Sequence, residues 1–392
     1  MDGKTSKVVS KGGLWLAFEV AALWFTTHVG GGFALGTQEV QYFVRFGSSA
    51  FYFPIITMGI LATVFYFAWE FQRLYHVTDY VSFFRTLFAP AGSLFMTLYD
   101  IAFSITVVLA AGATLAGFGN ALAGALGGIK ISLWVGYLIG AVVVYLLASF
   151  GLKLVLDSSA YMSFGIIAVV ILLVLFRLPQ IAAHLSSVPS ENVFAPSFFK
   201  SAIWSMLAYA GFQVCTVGSY VNGGAILKTH RDTVMAAVLG FLMNAVMLIA
   251  MILVIAGNYP AVLKDAAPSL TIVDGMSPIF SILYYLMLLF ALITTAVSVI
   301  YSTARRWSVA TGKNAKGKWA DDKFRLRIWT VIWIVLTWAV SNFGLVAIVK
   351  KGYGTLAYLG IAILILPILI VAPRKIAQKN TENAKLAGAR SQ

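Results

Sequence analysis

The feature that most constrains this chain is a recurrence: apolar runs of about twenty residues or more return ten times, with the charged residues gathered between them. A bilayer core of ~30 Å needs about 20 apolar residues per helical crossing. Backbone in lipid must satisfy its own hydrogen bonds, so such runs fold as helices. They lie at 13–44, 48–71, 92–120, 131–150, 155–177, 198–224, 233–257, 278–303, 328–348 and 353–372. An all-α integral membrane protein of ten spans is expected. Of 392 residues, 60% are hydrophobic and 11% charged, against roughly a quarter charged in soluble proteins. A soluble enzyme and a disordered chain are thereby excluded. So is a disulfide scaffold, because Cys215 has no second cysteine to pair with. No HExxH, GxSxG or CxxC spacing occurs, so neither an enzyme nor a bound cofactor is expected. The basic N-terminal segment precedes a run too long for a signal sequence and is expected to be retained.

An even number of spans puts both ends on one side. With the N-terminus in the cytoplasm, the inner segments hold 21 Lys and Arg, and the outer ones hold seven: Arg45, Lys130, Arg177, Lys200, Lys264, Lys350 and Lys351. Cytoplasmic loops carry the excess of positive charge. Both termini are therefore expected inside, in a multi-pass protein of the cell's inner membrane. The net charge of +14 reports topology and contact with membrane lipids rather than a nucleic-acid partner. Residues 73–90 mix aromatic and charged side chains and are expected to lie on the cytoplasmic surface. Residues 260–277 read as a short outer cap, 311–322 as a solvated loop and 381–392 as a disordered tail. Trp15, Trp24, Tyr52, Phe53, Trp134, Trp329 and Trp333 read as an interfacial girdle.

Span one is over-long and carries Gly30, Gly31 and Gly32 near its middle, between His28 and Glu39. Each glycine costs ~1 kcal/mol in a helix, and unwound backbone at membrane depth is tolerated only where it lines a cavity. The run is either a close-packing face or a break whose freed N–H and C=O groups bind a ligand and an ion. Span six has a second interruption, centred on Gly211, Phe212 and Gln213. Interrupted helices at matching positions of two inverted halves point to a transporter's midplane site.

Here the pattern resembles the LeuT fold of the amino acid–polyamine–organocation superfamily. The stretch Gly31-Gly32-Phe33-Ala34-Leu35-Gly36-Thr37-Gln38-Glu39 is similar to Gly-Ala-Gly-Phe-Ala-Ser-Gly-Gln-Glu of YkvI-like membrane proteins, departing from it by the inserted Thr37. Ala110-Ala111-Gly112-Ala113 and Thr294-Thr295-Ala296-Val297 fit the same family. The resemblance implies two inverted five-helix repeats, 13–178 and 197–372, between cytoplasmic tails 1–12 and 373–392, with discontinuous helices one and six. It further implies a secondary transporter that symports a small amino acid or amine with Na⁺ by alternating access. A proton-coupled carrier or exchanger on the same fold is the alternative, and a channel or sensor a more distant one.

In that fold an Ala-x-x-Thr-Ser/Thr element on helix eight and two carbonyls of helix one hold Na⁺. Carried onto this chain, the shell is Thr26, Val29, Ala291, Thr294 and Thr295. The alternative is that the threonine hydroxyls bond back to their own helix. Relatives that couple to protons place a Lys on helix five; here Lys153 sits only at the cytoplasmic start of that span, so sodium is preferred. The implied substrate site takes His28, Gly30, Gly31, Gly32, Ala110, Gly112, Gly211, Phe212 and Gln213. Helix N-termini there suit a carboxylate. Ionisable groups inside spans are functional candidates, which makes Glu19, Glu39, Asp100 and Asp157 candidates for gating or proton transfer.

Overall fold

The computed structural model describes residues 13–126, 132–190, 195–265, 267–341 and 352–390. The basic N-terminal residues and Lys130, Lys350 and Lys351, used above for orientation, lie outside the described residues. Among the described residues all regular structure is helical. Span one is three pieces, α1 (Gly13–His28), α2 (Gly31–Ala34) and α3 (Thr37–Tyr42). Then come α4 (Phe53–Tyr75), the short α5 (Tyr80–Leu87), α6 (Gly92–Ala125), α7 (Leu133–Ser149) and α8 (Leu152–His184). Span six divides into α9 (Pro196–Gln213) and α10 (Val217–Gly224). The rest are α11 (His230–Ala256), the short α12 (Pro268–Asp274), α13 (Pro278–Ala310), α14 (Asp322–Ser341), α15 (Tyr353–Gly360) and α16 (Leu366–Arg390). Six stretches are long and apolar enough to cross a membrane unbroken: Phe53–Tyr75, Gly92–Ala125, Leu152–Ser187, His230–Ala256, Pro278–Ala310 and Tyr353–Ala387. The chain is a multi-pass membrane protein.

Helix starts follow local chemistry. Thr229 and Asp232 form a reciprocal capping box at α11. Asp79 caps α5 through the Val81 and Ser82 N–H groups, and Pro54, Pro196 and Pro278 occupy first-turn positions where no N–H is needed. The interior is built around α1, which packs against α8, α11 and α13, while α13 also runs along α6.

Three expectations are corrected. The 73–90 segment does not lie free on the membrane surface: Tyr80, Phe83, Phe84 and Leu87 are buried, and α5 packs on α6. The C-terminal stretch from Thr381 is helical to Arg390, as part of α16, rather than disordered. Further up the same helix Lys375 Nζ donates to Thr86 O (2.7 Å), and Lys375 O accepts from the Tyr75 hydroxyl (3.0 Å). Trp24 is no interfacial anchor, because it is fully buried edge-on to Phe65; Trp134, by contrast, is exposed.

Candidate ion and substrate site

The site begins where α1 ends. The Val29 N–H still closes the helix on Phe25 O (2.9 Å), but the Gly30 N–H turns to His28 O (2.8 Å). Gly30 is extended (φ −83°, ψ −170°), and α2 restarts at Gly31. A helix end leaves its last carbonyls without intrahelical donors, and these find span eight. Thr295 Oγ1 lies 2.9 Å from Thr26 O and 3.2 Å from Thr27 O. Thr294 Oγ1 lies 3.3 Å from Thr26 O, 3.3 Å from Ala291 O and 2.8 Å from Phe290 O. Thr26, Ala291, Thr294 and Thr295 are thus gathered in one place, with Val29 directly after the end of α1. The Thr294 hydroxyl bonds both back along α13 and across to α1, and the Thr295 hydroxyl bonds across to α1.

Carbonyl dipoles at a helix C-terminus are negative. With hydroxyl oxygens beside them they make a neutral, oxygen-only set of the kind that unwound carbonyls and half-helix ends offer to Na⁺. A hydroxyl chain continues from it: Thr27 Oγ1 lies 2.7 Å from Ser298 Oγ, Ser298 Oγ is 3.0 Å from Thr295 O, and Ser219 Oγ of α10 donates to Ser298 O (3.3 Å).

Next to this cluster is a cavity of about 30 Å³, walled by residues that include His28, Gly30, Gly31, Gly32, Ala110, Phe212 and Gln213. A water needs about 10–15 Å³ on such a measure, so any larger substrate must displace the walls. Gly112 and Gly211 are not among its lining residues. Gly211 faces α15 instead, where an added Cβ would lie 2.4 Å from Ala357 O. The cavity also takes residues that sequence reasoning did not single out: Thr106, Thr114, Thr216, Tyr353 and Leu356. Thr106 and Thr114 stand at i−4 and i+4 of Ala110, a helical spacing that would have found them. Tyr353 comes from a helix near the other end of the chain, and no local signal marks it.

His28 is held at both ring nitrogens, Nδ1 to Asn244 Oδ1 (2.6 Å) and Nε2 to the Tyr209 hydroxyl (2.6 Å). Asn244 Nδ2 donates to Gly240 O (2.7 Å), so the oxygen facing His28 can only accept and Nδ1 carries a proton. In the neutral ring, Nε2 then accepts the Tyr209 proton. The Tyr209 hydroxyl is also 3.3 Å from Gln38 Oε1, which brings a cavity residue of α3 into the same chain.

Span six is less broken than expected. Its interruption is the 3₁₀ turn Val214–Thr216, one turn beyond Gly211. Tyr99 of α6 bridges this turn, accepting from the Gly218 N–H (2.6 Å) and donating to Cys215 O (3.0 Å). From α4, Trp69 Nε1 donates to Tyr220 O (3.0 Å) and Gln72 Nε2 to Val221 O (2.7 Å), which fixes α10.

The four acids fare differently. Glu19, 3% exposed, accepts from Trp15 Nε1 (2.7 Å). Asp100 pairs with Arg306 (2.8 Å) and accepts from the Tyr80 hydroxyl (3.1 Å), tying α6 to α13 and α5. Asp157 is half-buried on α8. Glu39 is fully buried, and among the described residues neither carboxylate oxygen has a hydrogen-bond partner on another residue. A further buried acid went unanticipated: Glu70 pairs with Arg73 (2.5 Å) and with His230 (3.1 Å).

No protein-family model matches the chain, and no curated protein matches its sequence significantly. Solved structures do match. A Na⁺-coupled sialic acid symporter, substrate-bound and outward-open, is 11% identical with a TM-score of 0.64, covering 90% of this chain and 79% of its own. MhsT in complex with L-phenylalanine is 16% identical with a TM-score of 0.62, covering 93% and 98%. The manganese transporter of Eremococcus coleocola, as its mutant H236A, is 14% identical with a TM-score of 0.56, covering 94% and 80%. The chain has the LeuT fold, in which helices one and six are the discontinuous ones.

Proposed function

We propose that this chain is a secondary active transporter that couples Na⁺ to the uptake of a small amino acid or related amine by alternating access. The observation that carries the reading is the convergence of the Thr294 and Thr295 hydroxyls on the Thr26 and Thr27 carbonyls that the span-one break sets free. Thr26, Val29, Ala291, Thr294 and Thr295 hold the ion. The hydroxyls give up their mutual bonds with α1 and turn lone pairs to it. The substrate sits in the adjoining cavity, with a carboxylate toward Gly30, Gly31 and Gly32 and the side chain toward Phe212 and Ala110. The Gln38 and Gln213 amides supply donors or acceptors as the cargo requires. Asp100 with Arg306 closes the cytoplasmic side and opens on release. Both termini are cytoplasmic. The glycine-rich stretch 31–39 supports kinship with YkvI-like proteins of the amino acid–polyamine–organocation superfamily.

Relatives of this fold carry cargo as different as sialic acid and manganese, so the fold does not choose the substrate. The test is a thermal-shift screen of amino acids and amines in NaCl and in KCl at fixed ionic strength. A hit should bind more tightly in NaCl, by the ~1–3 kcal/mol usual for coupled sites. Thr294→Ala/Thr295→Ala should bind it weakly and identically in both salts. Affinity indifferent to Na⁺ in the wild type would overturn the sodium reading.

A further inference from the structure

We propose that Glu39 is a proton-binding site of the outer half, protonated whenever that half is closed. Its side chain is wholly buried, and among the described residues no other residue donates a hydrogen bond to either oxygen. An unpaired buried carboxylate costs several kcal/mol or more, and such groups neutralise instead. Among the described residues the surroundings offer a proton no charged competitor. From the elements around α3, Tyr209 of α9 and Tyr284 of α13 lie near enough to Glu39 to interact with it electrostatically. Tyr42 is the other titratable group on α3 itself. On the following 3₁₀ turn, Arg45 is exposed and bonded to Gln41 (3.3 Å), while the Asn244 side chain of α11 is neutral and engaged with His28. Among the described residues no cluster of three or more His, Cys, Asp or Glu could hold a metal ion. A proton is the cation that needs no further ligands.

The placement couples that proton to closure. Glu39 follows Gln38, which lines the cavity. The turn before α3 is tied down by the Ser269 N–H to Leu35 O (3.2 Å) and by the Tyr284 hydroxyl to Ala34 O (2.5 Å). Seating Gln38 at the cavity and burying Glu39 are therefore one movement. Closing takes one proton from the outer water, turning carboxylate into carboxylic acid, and opening returns it. This role rests on the transporter reading, but the protonation itself can be tested without any substrate.

The experiment is infrared spectroscopy of the full-length protein in lipid, titrated with acid and base in choline, K⁺ and Na⁺ media. A carbonyl band from a neutral carboxyl should persist at about pH 7, where an ordinary Glu is ionised. It should vanish in Glu39→Gln and survive in Asp100→Asn and in Thr294→Ala/Thr295→Ala. Should Glu39→Gln not fold, Glu39→Asp must shift the band. A missing band, one that survives Glu39→Gln, or one unmoved by Glu39→Asp overturns the proposal. A band present in choline and abolished by Na⁺ overturns it too, in favour of a metal-cation seat. The sodium reading above stands or falls separately, on affinities measured in the two salts.

Discussion

In span one the chain leaves helical geometry at Gly30 (φ −83°, ψ −170°) and again at Gly36 (φ +79°). In span six Gln213, Val214 and Val217 keep right-handed helical dihedrals, and Thr216 (φ −82°, ψ 2°) merely tightens the turn. The first break frees carbonyls, and side chains of another helix come to them. The second frees little and is stitched shut by one tyrosine. Two interruptions that look alike as glycine-bearing stretches differ in what their glycines do: at Gly30 the glycine admits the Thr295 side chain, whereas at Gly211 it admits a neighbouring helix.

The strongest way to break this comparison is at the span-six crossing. A Cβ on Gly360 would lie 1.7 Å from Gly211 O, and one on Gly211 would lie 2.4 Å from Ala357 O. Backbone against backbone cannot be relieved by a rotamer change, so Gly360→Ala should cost about 3 kcal/mol or more. The expected readout is loss of monodisperse protein and a lowered melting midpoint, with Gly211→Ala close behind. Normal melting of both variants would mean that α9 and α15 are not locked together and that Gly211 is free to serve the cavity.

A smaller effect should follow from loosening the stitch. Tyr99→Phe keeps the ring stack with Phe84 and Phe103 but strips the Gly218 N–H of its acceptor. Leaving a buried donor unsatisfied costs about 1–3 kcal/mol. Cys215, buried and the one cysteine of the chain, reports on it directly. Maleimide labelling of Cys215 should be negligible in the wild type and rise in Tyr99→Phe. Unchanged labelling would show that the 3₁₀ turn holds itself.

The contrast also explains what could be read in advance. The span-one break and the Ala291-x-x-Thr294-Thr295 element are local patterns, and local patterns survive in a sequence. The position of the span-six interruption does not: Gly211 marks a crossing with α15, and nothing near it tells a packing glycine from an unwinding one. His28 was legible as a buried group, but its partners Tyr209 and Asn244 stand 181 and 216 residues away. The same distance hid Arg306 as the partner of Asp100. The 73–90 segment misled because an amphipathic helix presents the same pattern to a bilayer surface and to a protein face. Its apolar face went to α6.

The smallest expected loss of stability is the most informative about the ion. Three successive glycines suggest backbone freedom, yet Gly30 sits in an extended region that any residue adopts. Alanine there strains no dihedral. What it meets is Thr295, whose Cγ2 and Oγ1 would both lie 3.1 Å from the new Cβ, a few tenths of an ångström too close. Thr295 must then shift, and with it the hydroxyl 2.9 Å from Thr26 O. Gly30→Ala should therefore fold with a loss below about 1 kcal/mol while its Na⁺ affinity falls roughly tenfold, or about 1.4 kcal/mol. The check is a NaCl titration of the melting midpoint in wild type and variant. A variant that melts poorly yet keeps its Na⁺ response would show that Gly30 is there for the backbone, and the ion site would then have to be sought without Thr295.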